Sequence, residues 1–526
     1  MPLPEFLRYS NSMTKCHLPG CPIGKILWSI FSLTIILATQ KPAMASAGTV
    51  LSHLQRARLF AKQRKWPQAE REFRFAHQMD PNSVEAEVGH AEALVQIRQP
   101  FDALLELQTF LRDHRDAARA HEFYAVVILE TSNDFLLAQQ EMETSARLAP
   151  NDGMIWKSLG DIYLDHTTAS DAITAYKKAR RLLPHDPLIL ASLAQAYSQD
   201  GNTQEADAAF ATALKMAQNE SSATARRDGA TVDYLYAQYL LKQNRPRESI
   251  AAASHALAYN PNSAIALYHR ARAYKAIGDL KNAEVDALRA FEIAPAGKEG
   301  PLLLADIYRK EHNVDKVQKY AEIAQKMIDE EQSRASFGRD VRRLLGMAES
   351  ALLKQQFDEA IPPYNELIQK VPTFYEAYFG IGVCYSQTGR VNEAESAFRK
   401  YLSLQPVSAD GHATLGLLLL QQGRGAEAIP ELEQALEIDP TLDEARKALA
   451  GEYLSESKPA AAIKTLRAQG NKGDVQSITL LATALRQNGQ NREAMKEIER
   501  ALALSPGDTD ALRVKHEIIE ATHLAQ

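Results

Sequence analysis

Apolar residues along this chain recur at helical spacing in runs that end at proline, and the prolines keep a step of 34 residues. They stand at Pro150 and Pro184, at Pro261 and Pro295, and at Pro372, Pro406 and Pro440. Proline cannot extend a helix, and it biases the residue before it toward extended geometry, so each one sets a turn into the next unit. A fixed period of this length predicts one helical hairpin stacked many times. The clearest unit runs from Gly153 to Pro184. Trp156, Leu159, Gly160 and Tyr163 fall on its first helix, and Ala172, Tyr176 and Ala179 on its second. Small residues at 160 and 172 let the two helices approach, the large rings fill the space between neighbouring hairpins, and Ala179 lets the next hairpin dock.

The same order returns in Ala194-Tyr197-Ala206-Phe210-Ala213, Ala271-Tyr274-Ala283-Ala290-Pro295 and Gly382-Tyr385-Ala394-Phe398-Pro406, then in Gly416-Ala428-Ala435-Pro440. Weaker copies begin as early as Ala57-Phe60-Ala69-Phe73 and end with Ala482-Ala494-Ala501-Pro506. This small–large–proline order resembles the tetratricopeptide repeat, eight of whose positions are matched between Trp156 and Pro184. The resemblance implies an all-α fold: a right-handed superhelical solenoid of about thirteen hairpins, closed by a polar capping helix within residues 507–526.

Two gaps break the step. Pro184 to Pro261 and Pro295 to Pro372 are each 77 residues, two repeats plus nine. The extra residues fall in 219–229 and 330–340, dividing the array into blocks at 50–218, 230–329 and 341–506 with about five, three and five hairpins. Lys215-Met216 recurs as Lys326-Met327, Arg227-Asp228 as Arg339-Asp340, and Leu241-Lys242-Gln243 as Leu353-Lys354-Gln355, the pattern of a duplicated block. Neither insertion has a strong apolar face, so both read as helix extensions or surface loops.

At the N-terminus, residues 26–38 form an uncharged apolar run preceded by Lys15 and Lys25 and followed by the small residues of Ala43-Met44-Ala45-Ser46-Ala47. This is the order of a secretory signal occupying 1–45, with Met13 an alternative start. It directs the chain to a periplasm. The alternative is an inner-membrane anchor at 26–38, although a spanning helix needs about 20 apolar residues. Cleavage removes Cys16 and Cys21 and leaves Cys384, so no intramolecular disulfide forms and the fold rests on packing.

Composition narrows the function. The 526 residues are 45% hydrophobic with a formal charge of -6, and the basic residues are interspersed with acidic ones, which argues against nucleic acid as the partner. No constellation for catalysis emerges. His121-Glu122 and His516-Glu517 lack the second histidine needed to hold zinc, and there is no phosphate loop, nucleophile elbow or paired-cysteine site. Catalytic, cofactor and metal residues are therefore expected to be none.

The resemblance instead implies a concave groove lined by the first helix of each hairpin and holding an extended peptide or helix of another protein. By offset, its central positions are Tyr234, Gln238, Tyr268, Arg272, Asp306 and Arg309. Aromatic and arginine side chains are the usual anchors of interfaces. Lys157 and Asp161 occupy the offsets where some family members hold a partner's C-terminal carboxylate, but the aspartate would repel it. The expected function is a non-catalytic scaffold of a bacterial cell-envelope machine. The alternatives are a glycan- or substrate-binding module of an envelope polysaccharide pathway and a membrane-anchored cytoplasmic adaptor.

Overall fold

The computed structural model describes residues 47–166, 168–218, 223–295, 297–468 and 474–523. The signal segment at 1–45 lies outside them, as does part of the first insertion, 219–222. Among the described residues there are 26 helices and no strand. They pair in order as α1 (Ala47–Lys62) with α2 (Trp66–Met79), α3 (Val84–Gln96) with α4 (Pro100–Asp113), α5 (Ala118–Ser132) with α6 (Phe135–Leu148), and α7 (Gly153–His166) with α8 (Ala169–Leu182). Next come α9 (Pro187–Gln199) with α10 (Thr203–Gln218), α11 (Ala223–Lys242) with α12 (Pro246–Tyr259), and α13 (Ala264–Ile277) with α14 (Leu280–Ile293). Helix α15 (Glu299–Lys310) leads into the 40-residue α16 (Val314–Leu353), which is followed by α17 (Phe357–Lys370). The array continues with α18 (Tyr375–Gln387) and α19 (Val391–Leu404), α20 (Ala409–Gln421) and α21 (Gly425–Ile438), and α22 (Asp443–Ser455) and α23 (Pro459–Arg467). It ends with α24 (Val475–Gln487), α25 (Asn491–Leu504) and a single α26 (Thr509–His523). Because α16 serves two hairpins at once, these helices make thirteen hairpins and a closing helix: an all-α repeat superhelix.

One backbone requirement marks the period. The turn inside a hairpin needs one residue in the left-handed region, and such residues stand at Arg64, Arg98, Asn133, Gly201, Asn244, Gly278, His312, Gln355, Gly389, Gly423, Ser457 and Gly489. Most steps between them are 34 residues. Gly201 to Asn244 and His312 to Gln355 are 43, so the nine extra residues of each insertion fall within those intervals. Residues 330–340 lie inside α16 and 223–229 open α11, both as added helix.

Packing within a hairpin follows from size. A Cβ on Gly160 would lie 2.5 Å from the Tyr176 ring, so that ring can seat itself against bare backbone. Tyr176 is fully buried, and its hydroxyl donates to Asp161 Oδ1 at 2.7 Å.

Beyond these neighbour contacts, the chain returns on itself. In α4, Asp102 to Leu107 are buried without interruption. Six consecutive helical residues point in all directions, so α4 is covered on every side. Its second cover is the C-terminal half of α16 together with α17 and α18, and one hydrophobic core contains Leu104, Leu107, Tyr124 and Ile128 alongside Val341, Leu345, Tyr364 and Phe374. Phe101 meets Phe337 edge-on with centroids 4.7 Å apart. Gly338 packs against α5 so closely that a Cβ would lie 2.5 Å from the Thr131 carbonyl oxygen. Polar bonds cross the same seam. Arg339 Nη1 donates to Ser132 O at 2.9 Å, Arg342 Nη2 pairs with Asp134 at 2.6 Å, and Arg112 Nη1 pairs with Glu349 at 2.8 Å. Before reaching the seam, residues 329–334 of α16 are exposed on all faces, a helical bridge between two packed ends.

A group of ionisable side chains is sealed beside the seam. Glu87 and His90 are each 2% exposed, and His90 Nδ1 approaches Glu106 Oε2 at 2.9 Å. Burial, with Glu106 adding repulsion, holds the Glu87 and Glu376 carboxyls above the ordinary range. Burial likewise pushes Asp102 up to about 6 and keeps Glu349 raised despite Arg112. For His90 burial acts downward, but Glu106 and Glu70 outweigh it and lift the imidazole to about 10.

These shifts fix a sign. Above their unfolded-state values the raised carboxyls keep protons that the unfolded chain has released, and so does His90 above 6.5, so stability declines as pH rises. His77, lowered to about 3, and His269, lowered to about 4, both chiefly by burial, act in the opposite direction, an effect that fades as pH rises past 6.5. Urea unfolding is therefore expected to give a smaller free energy at pH 8 than at pH 6.5. A rise over that interval would contradict the assignment. At the seam itself, Arg112→Leu leaves Glu349 buried and uncompensated and is expected to lower stability by about 3 kcal/mol. The pair Arg112→Leu/Glu349→Leu should recover more than half of that loss in the same assay.

Candidate partner-binding groove

The first helices of successive hairpins lie side by side, and α7, α9, α11, α13 and α15 form the strip on which the expected site falls. Tyr234 and Gln238 are four apart on α11, Tyr268 and Arg272 four apart on α13, and Asp306 and Arg309 three apart on α15, so each pair shares a helix face. All but Arg309 are partly buried, and Arg309 is exposed.

His269 ties the aromatic part together. The Tyr234 ring lies parallel to it with centroids 6.4 Å apart, Tyr268 meets it edge-on at 5.4 Å, and the Arg272 guanidinium sits 5.7 Å from the Tyr268 ring centre. At 6% exposure, His269 is held neutral: burial, then the charges of Arg272 and Lys242, lower it to about 4. Burial raises the phenols of Tyr234 and Tyr268, with Asp161 adding to the first and Arg272 opposing the second.

The other positions are tied differently. Gln238 accepts from Gln195 Nε2 at 2.8 Å, which draws it toward α9. Asp306 takes an ion pair from Lys275 on α13 and another from Arg309 Nη1 at 2.8 Å, and the Lys275 bond chiefly holds its carboxyl below the usual range. Five of the six expected residues thus form two clusters, Tyr234–Tyr268–Arg272 around His269 and Asp306–Arg309, with Lys275 reaching from α13 to the second, while Gln238 belongs to neither. His269, Lys275 and Gln195 escaped the reading by offset because they stand beside, rather than on, the transferred positions.

At the other end of the strip Lys157 Nζ is bound to Asp161 at 2.7 Å, and Asp161 also accepts from Tyr176. The lysine is neutralised within its own helix and is not free to clamp a carboxylate. Cys384 is fully buried, and burial pushes its thiol up to about 12, which leaves it unreactive at neutral pH. Among the described residues no group of three or more His, Cys, Asp or Glu side chains is arranged to hold a metal ion, and no helix is long and apolar enough to cross a membrane.

Sequence models of the tetratricopeptide repeat match residues 129–187, 189–220, 234–298 and, in overlapping segments, 345–508, more than half of the chain. The chain belongs to the tetratricopeptide repeat family. Tetratricopeptide-repeat proteins mediate protein–protein interactions and are in general non-catalytic. No curated protein sequence matches this one. Among solved structures, the repeat array is similar to the MamA protein, with 22% identity over 32% of this chain and 93% of that one and a TM-score of 0.31. It is similar also to a chain of the APC/C hetero-tetramer Cut9–Hcn1, with 14% identity over 93% and 98% and a TM-score of 0.32. A third is the human IFIT1 dimer with m7Gppp-AAAA, with 17% identity over 92% and 94% and a TM-score of 0.29.

The packing of His269 has a direct readout. In a histidine-selective NMR titration, the signal lost in His269→Asn is expected to keep neutral-imidazole shifts down to about pH 4. A midpoint near 6.5 would mean that the ring is open to water.

Proposed function

We propose that this tetratricopeptide-repeat chain is a non-catalytic scaffold that holds an extended segment or helix of another protein against Tyr234, Gln238, Tyr268, Arg272, Asp306 and Arg309. The observation that carries the reading is the pair of half-exposed tyrosines organised around His269, with Arg272 at their edge. Aromatic rings fixed in place before binding lose little entropy on contact and bury large area. Along these five inner helices nine Lys and Arg residues stand against six Asp and Glu, a balance that favours an acidic partner segment. The signal-like N-terminal segment supports a cell-envelope location, in the periplasm, where the scaffold recruits components of an assembly or export machine.

Proximity cross-linking in the native host tests the reading, comparing the intact chain with Tyr234→Ala/Tyr268→Ala/Arg272→Ala. Loss of hot-spot anchors is expected to cut recovery of the captured envelope proteins by at least about tenfold, with helicity unchanged by circular dichroism. Equal recovery would remove the groove assignment. Absence of any protein partner, with glycan-array binding by the same chain, would replace the scaffold with the glycan-binding alternative.

A further inference from the structure

Where α16 crosses α4, α5 and α6 it leaves a second, open recess, away from the expected groove. The cavity measures about 490 Å³, within the range of small-molecule sites. Its walls differ in chemistry. Leu111, Tyr124 and Leu137 supply an apolar side, while Arg112, Arg339, Arg342 and Arg343 converge from α4 and α16. Glu141 is the acidic side chain among the lining residues, and its Oε2 is engaged by His121 Nδ1 at 2.5 Å.

The arginines are held from behind. Arg112 is paired with Glu349 and Asp113, Arg342 with Asp134, and Arg343 with Asp340 at 2.6 Å. Arg339 donates one N–H to the Ser132 carbonyl. A guanidinium carries five N–H donors in a rigid fork, so these contacts orient each group and leave donors for a further acceptor. Arg112, Arg342 and Arg343 share their charge with the carboxylates behind them, while Arg339 is bound to a neutral carbonyl and keeps its charge for an anion, and the remaining guanidinium donors suit bidentate bonding to a carboxylate or phosphate.

We propose that this cavity is a binding site for a small organic anion, with its carboxylate or phosphate head against Arg339, Arg342 and Arg343 and an apolar or aromatic body against Leu111, Tyr124 and Leu137. The site is made only by the chain's return. Arg339 lies within the insertion at 330–340 and Arg342 and Arg343 just after it, whereas the apolar wall comes from the second and third hairpins. Ligand occupancy there joins parts of the chain more than two hundred residues apart in sequence.

The probe is 8-anilinonaphthalene-1-sulfonate, a fluorescent aromatic anion, with neutral N-phenyl-1-naphthylamine as the control of similar body and no charge. The full exported chain is expected to bind the sulfonate at one site and to release it to phenyl phosphate or benzoate. Whichever displaces it at lower concentration identifies the head group as phosphate or carboxylate. Arg343 is exposed outside the seam core, so Arg343→Gln should fold normally and weaken the sulfonate about tenfold. Arg343→Lys should restore part of that loss, and the neutral probe should respond to neither change. Sulfonate binding that is absent, that is unchanged in Arg343→Gln, or that is matched by the neutral probe would overturn the proposal. The triple groove variant is expected to bind the sulfonate as the intact chain does, which separates this site from the groove.

Discussion

The contact on which the rest of the molecule depends is the seating of α16 on α5 at Gly338. There a helix backbone lies so close to the Thr131 carbonyl that no side chain fits between. Neighbouring hairpins in a solenoid fix only local angles, and small errors in those angles accumulate along the array. At this seam the ninth hairpin is pinned to the second and third, so the intervening hairpins must follow one curvature. The groove helices α7 to α15 lie within that pinned span. Its strip of tyrosines and charges is therefore held by a closed path of packing and not by nearest neighbours alone.

The seam is built from unequal parts. Apolar burial around Leu104, Leu107, Val341 and Leu345 supplies non-directional attraction, and the ring pair Phe101–Phe337 contributes about 1 kcal/mol beyond its area. The ion pairs at Arg112–Glu349 and Arg342–Asp134 register α16 along α4 and the start of α6, since a shift of one turn would leave charges without partners. The buried acids near Glu87 oppose closure as they ionise. The same interface thus carries a stabilising core and a pH-dependent cost, and between them they leave a recess edged with arginine.

Much of this was legible from local pattern. The need for a small residue at Gly160 and the 34-residue step are read from one hairpin, and both stand in the fold, whereas the ring that seats against Gly160 is Tyr176 of the same hairpin, which the sequence reading places in the space between neighbouring hairpins. The nine-residue insertions were visible as broken steps, but the lack of a strong apolar face read for the second holds only for the exposed bridge at 329–334 and not for Ala335, Phe337 and Gly338, which pack into the seam. The seam was not read, because its partners are separated by some two hundred residues and no periodicity links them. One signal was present: Phe101, Ala103, Leu104, Leu105, Leu107, Phe110 and Leu111 crowd α4 with apolar residues on every face, more than one hairpin can cover. In the expected groove, transferring positions by offset named Tyr234, Tyr268 and Arg272, which the structure brings together, but not His269 between them. A histidine on an inner helix looks like any other until its neighbours are known.

The measurement that bears most directly on the closed path is small-angle X-ray scattering from the intact chain and from Gly338→Val. Adding a branched side chain where a Cβ already meets backbone at 2.5 Å must lift α16 from α5 without disturbing the hairpins at either end. The closed account predicts a compact profile for the intact chain and a larger radius of gyration for the variant at equal helicity. Identical profiles for the two would contradict it, because the curvature would then be set by neighbouring hairpins alone.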